Sequence, residues 1–223
     1  MPNTLTVAIA PADVETLRTC YQRVVLLQPA NSNLRYEIAW AVLPPAATIQ
    51  VSWGDDHRVA SSTSGVTAGQ VVTAAFSAPA TAGSRYTLTD AGFDTGTPVE
   101  GVGYQILDAV NRPSPIAVGL LQELTTGDGT SLLPIWMQPI MFNQLASLTA
   151  TKAVQIFVAS GVTCGMVLDS DWLTTRRSDR CAEVTVVAGP QLTLDFRAQT
   201  AWTATYDRAT NSFVPGVRPA RGN

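Results

Sequence analysis

Two short stretches of this chain hold residue types that can do acid–base or metal chemistry. Gly54-Asp55-Asp56-His57 sets two carboxylates beside the only histidine of the 223 residues. Asp and His both ligate divalent cations, so Asp55, Asp56 and His57 form a candidate metal site for a small metal-assisted hydrolase. Neighbouring side chains on a strand point to opposite faces, so these three converge only if the backbone loops. The favoured alternative is a polar turn in which Gly and Asp supply the geometry. A Ser-His-Asp triad would have to run through His57, and no Gly-x-Ser-x-Gly elbow accompanies it.

The second stretch is Asp169-Ser170-Asp171-Trp172, followed by Thr174-Thr175-Arg176-Arg177-Ser178-Asp179-Arg180. On an extended backbone Asp169 and Asp171 share one side. Arg176, Arg177 and Arg180 each offer a planar fork of donors suited to a carboxylate, a phosphate or a sugar rim. An indole stacks on the apolar face of a sugar, so Trp172 completes a lectin-like ligand-binding set with Asp169, Asp171 and the three arginines. The alternative is a solvated loop whose acids and bases pair with one another and contribute little.

A third stretch, Leu132 to Phe142, is apolar, rich in Met and broken twice by Pro. Exposed, it would form a homo-oligomer interface through Leu133, Ile135, Trp136, Met137, Met141 and Phe142. Buried, it would be a crossover over the core, which is where long apolar stretches usually lie. Trp40, Trp53 and Trp202 alternate as core residues do, whereas Trp136 and Trp172 fall outside clean strand patterns and are platform candidates.

The elements that must position these residues read as strands. In Arg35 to Trp53, Tyr36, Ile38, Trp40 and Val42 fall on one face of a period-two pattern. Ile49, Val51 and Trp53 repeat it beyond Pro44-Pro45, which suggests a strand pair joined at the prolines. A helical turn near 13–18, with Asp13 at its N-cap, precedes a strand from Cys20 to Leu27. Short strands separated by turn signals recur to the end of the chain, and no helical crossovers for a parallel sheet are evident. The expected fold is all-β, an antiparallel β-sandwich in two sandwich-like halves, 1–94 and 104–215. The Gly-rich segment 95–103 would be the linker and 216–223 a flexible tail.

Composition narrows the function classes. Hydrophobic residues make up 46% and charged residues 14%, which fits a folded chain and not a disordered one. A net charge of -3 gives no field to hold a nucleic acid or an anionic membrane. No apolar run is long enough for a transmembrane helix. The first residues lack a basic and then apolar leader, so the expected location is cytoplasmic, or outside by a non-classical route. Cys20, Cys164 and Cys181 show no metal-ligand spacing. A Cys164–Cys181 bridge and free thiols both stay open. The reading that follows is a non-catalytic binding or self-assembling protein without a cofactor. Its partner is a second copy or a small polar ligand such as a glycan.

Overall fold

The computed structural model describes residues 2–29, 36–169, 171 and 187–216. Among them are twenty strands and one helix, and the fold is all-β. The helix, Pro11–Thr19, is longer than the expected turn and begins one residue after Ala10, which occupies the N-cap position instead of Asp13. Pro11 suits the first helical turn, where an N–H would have no partner, and Asp13 lies where the helix dipole favours an acid. Val14 and Leu17 turn inward. The following strand is Arg23–Leu27.

The largest sheet has eight strands. Its centre is the long Ile116–Thr126 strand, hairpinned to Gly129–Ile140 through Thr126 and Gly129. On the other side of Ile116–Thr126 lie Thr48–Trp53 and His57–Ser62, and outward from them Asn3–Ala8, Ala201–Asp207 and Ser212–Pro215. A second sheet carries Ser84–Thr89 and Tyr104–Asp108, and a third carries Ala153–Ser160 and Arg23–Leu27. Most pairings are antiparallel, but Asn3–Ala8 runs parallel to Ala201–Asp207, and Ser84–Thr89 parallel to Tyr104–Asp108. The first pair joins strands far apart in the chain, and the second is joined by residues 90–103, which carry the short strands Gly92–Phe93 and Thr97–Pro98, so neither uses a helical crossover.

Each sheet draws strands from both sides of 95–103. The segments 1–94 and 104–215 are therefore interleaved in the sheets, and the expected linker itself contributes Thr97–Pro98, paired with Ser84–Thr89. Local strand patterns carry no information about such distant partners, which is why the glycines read as a boundary. The two arms around Pro44-Pro45 also do not pair with each other. Ala41–Leu43 joins Arg23–Leu27, and Thr48–Trp53 joins Asn3–Ala8.

Alternation nevertheless does what the pattern requires. Leu5, Val7, Val51, Val59, Val118 and Leu120 of the large sheet face Leu88 and Ile106 of the second sheet and Val24, Leu26 and Ile156 of the third, filling one core. Trp40 and Trp53 meet edge-on there at 5.3 Å, and Phe196 packs edge-on against Trp53 at 4.7 Å. Such pairs contribute about 0.5–1.5 kcal/mol each beyond their buried area. The opposite face of the large sheet is also covered, by Ile38, Val72 and Val167 packed against Ala117, Leu121 and Met137. From Ile116 to Gln122 this strand is thus buried on both faces.

Leu132 to Phe142 mostly belongs to this interior. Ile135, Trp136 and Met137 are buried within the chain, Leu133 is half-buried, and only Met141 and Phe142 of the expected interface set face outward. Trp136 is consequently part of the core. The strand Gly129–Ile140 tolerates its two prolines because, among the described strands, only Ile116–Thr126 pairs with it, and residues facing away from that partner need no N–H.

Candidate functional site

Gly54-Asp55-Asp56 is a bulge within one continuous line of strand. Ser52 pairs with Thr125 and His57 with Gln122, so the first strand advances five residues while the second advances three. Two residues are in excess, and the chain bows out to hold them. Bulges of this kind re-aim side chains and recur beside functional sites. Here the bulge puts Asp55 at the rim of a cleft of about 210 Å³ and sends His57 into it.

The inner end of the cleft is a relay of amides. Gln122 Nε2 donates to the Gly54 carbonyl at 2.7 Å, bracing the bulge across the ladder. Gln122 Oε1 accepts from Gln28 Nε2. Both glutamines are buried, Gln28 at 4% and Gln122 at 3% exposure. Among the described residues, Gln28 Oε1 has no hydrogen-bond partner, nor does His57 Nε2.

The other nitrogen of His57, Nδ1, hydrogen-bonds the Tyr104 hydroxyl at 3.1 Å, and the two rings meet edge-on at 5.6 Å. Burial pushes the His57 pKa below its ordinary 6.5, against the opposing pull of the Asp55 backbone and of the Asp55 and Asp56 carboxylates. Burial likewise raises the pKa of Tyr104, helped by Tyr86 and the two aspartates. Both rings are therefore neutral at pH 7.

At the rim, Asp55 Oδ2 accepts from Lys152 Nζ at 2.7 Å, and Asp55 Oδ1 accepts from Asn3 Nδ2 at 3.4 Å. The Lys152 bond keeps the Asp55 carboxyl below its usual range, although partial burial works the other way. The segment carrying Lys152 is pinned on both sides. Thr151 Oγ1 donates to the Pro29 carbonyl at 2.9 Å, and the Lys152 carbonyl accepts from Phe196 N at 2.7 Å. Nearby Arg197 is chelated by Asp195, whose pKa falls to about 2 under that contact.

The sequence-derived candidates divide accordingly. Asp55, Asp56 and His57 do not close on an ion: Asp55 is turned to Lys152, His57 to Tyr104, and Asp56 is exposed. Among the described residues no group of three or more His, Cys, Asp and Glu could hold a metal. Asp169 ends the strand Val167–Asp169, is 6% exposed, and its Oδ1 accepts from Asp171 N at 3.0 Å. Trp172, Arg176, Arg177 and Arg180 lie outside the described residues, as does Cys181. Cys164 is a free thiol.

Gln28, Tyr104, Gln122 and Lys152 were missed by motif reading, yet two of them carried a signal, as did His57. Along Ile116–Thr126 the core-facing positions are Ile116, Val118, Leu120, Gln122 and Leu124, a single polar residue in an apolar stripe. Gln28 continues the stripe of Val24 and Leu26, and His57 that of Val51, Trp53 and Val59. A polar group on the inward face must find a partner or line a cavity. Tyr104 and Lys152 gave no such sign.

No protein-family model, curated protein or solved structure matches this chain. Among the described residues, no helix is long and apolar enough to cross a membrane.

Proposed function

We propose that this is a non-catalytic binding protein whose ligand is a small polar molecule held in the cleft between the 54–56 bulge and the 150–154 segment. The observation that carries this reading is the pair of buried, unpartnered polar atoms, Gln28 Oε1 and His57 Nε2, on side chains that line one cleft. Leaving such atoms unpaired costs about 1–3 kcal/mol each, and an occupant that bonds to them recovers that cost. Support for binding over turnover comes from the partners of the ionisable groups. His57 is bonded to a neutral phenol, and the Asp55 carboxylate is engaged by Lys152 and Asn3, so it does not orient the imidazole as a base. Support for a cleft over self-assembly comes from the burial of Ile135, Trp136 and Met137 inside their own chain.

The test is a protein-observed NMR screen of small polar fragments, including amides, polyols, carboxylates and nucleobases. Hits are expected to move the side-chain amide signals of Gln28 and Gln122 together with Tyr104 and Thr151. A screen whose hits all perturb residues elsewhere, or that yields none, overturns the reading.

A further inference from the structure

The direction of the amide relay fixes what the inner end of the cleft demands. The Gly54 carbonyl can only accept, so Gln122 must present Nε2 to it and Oε1 to Gln28. Gln28 must then spend its Nε2 on Gln122, which turns its own oxygen into the unpartnered acceptor. Flipping either amide would set two acceptors or two donors face to face. An occupant must therefore bring a donor to Gln28 Oε1. His57 Nε2 accepts or donates according to whether Nδ1 donates to or accepts from the Tyr104 hydroxyl, and a hydroxyl satisfies it in both cases.

Charge and shape select further. Asp55 and Lys152 cancel each other at the rim, so they leave no uncompensated charge there to attract a charged ligand. Trp53 and Phe196 line the cleft but direct their rings at each other and at Trp40. Among the described residues no open aromatic slot is left to sandwich a planar base, while their edges and Val102 suit the C–H side of a puckered ring. At about 210 Å³ the space is below the roughly 300–1,000 Å³ of sites for drug-sized ligands, which fits one ring.

We infer that the occupant is a neutral saccharide ring, with one hydroxyl donating to Gln28 Oε1 and another bonded to His57 Nε2. The inference rests on the cleft-binding reading and goes beyond it by naming the ligand class. The probes are neutral hexoses and pentoses, their amino and carboxylate derivatives, nucleosides and simple primary amides, titrated into the full chain with the Gln28 and Gln122 side-chain amides as reporters. Expected are dissociation constants of about 1 mM for at least one neutral sugar and at least about tenfold weaker binding of its charged derivatives. Gln28→Leu is expected to weaken the sugar about tenfold or more, with its amide spectrum showing that the fold persists. Because the ligand panel reads out in the unaltered protein, the inference stays testable if that variant fails to fold. Binding of nucleosides or amides at these reporters without any sugar overturns the saccharide assignment and leaves cleft binding standing. No response from any probe overturns both.

Discussion

The amide relay makes an asymmetric prediction about two substitutions of the same type. In Gln122→Leu the Gly54 carbonyl loses its donor, and Gln28 Nε2 is left alone in a site where Gln28 is 4% exposed. Gly54 is exposed, so water replaces part of the first loss, leaving about 0.5–1.5 kcal/mol, whereas the stranded Gln28 amide costs about 1–3 kcal/mol. The total is about 1.5–4.5 kcal/mol. In Gln28→Leu one buried acceptor, Gln122 Oε1, is stranded, but the acceptor already unpaired in the native protein, Gln28 Oε1, disappears. The two changes nearly cancel and leave about 0–1 kcal/mol. For a chain of this length 1 kcal/mol moves the melting temperature by about 2–4 °C, so Gln122→Leu should melt about 3–18 °C lower and Gln28→Leu within about 4 °C of wild type. Urea unfolding followed by circular dichroism gives the same comparison as free energies. Equal losses, or a larger loss in Gln28→Leu, would show that the relay does not run in the direction argued.

Because the folded-state pKa of His57 lies below 6.5, the unfolded chain takes up that proton first as pH falls. His57's contribution is complete above about pH 6.5 and is lost as pH drops toward the folded value, so urea-derived stability should fall as pH drops below about 6.5, and His57→Gln should flatten that slope. Asp55 acts in a lower window: its depressed pKa stabilises above the ordinary 3.8 and is lost below it. Lys152→Met should raise the Asp55 pKa toward 3.8 in an NMR titration while changing stability by less than about 1 kcal/mol, since the pair is exposed. At Gly119 an added Cβ would fall 1.9 Å from the Trp136 carbonyl oxygen, so Gly119→Ala should cost about 3 kcal/mol or more, visible as a lowered urea midpoint.

What could be read from the chain and what could not divide along one physical line. Period-two stripes depend only on neighbours in sequence, so the strand Thr48–Trp53, the inward Trp40 and Trp53, and the all-β class were legible. Strand partners depend on distant segments, so the parallel pairing of Asn3–Ala8 with Ala201–Asp207 and the interleaving across 95–103 were not. The same holds for the site. Asp55 and His57 stood out as residue types, but a metal set was inferred from their adjacency, whereas the ladder uses that adjacency as a bulge and sends each to a distant partner, Lys152 and Tyr104. Gln122 was readable in principle as the polar break in an apolar stripe, while its bond to Gly54 spans 68 residues and leaves no local trace.

The claim beneath the functional account is that inward-facing polar side chains, braced by the 54–56 bulge, form a receptor for a small molecule. The most direct measurement is a chemical-shift map of the side-chain amides and the His57 ring during titration with the best-binding fragment. Saturable shifts centred on Gln28, Gln122, His57 and Tyr104 are the predicted result. Saturable shifts centred instead on Asp169 and Asp171, with the glutamine amides unmoved, would contradict it.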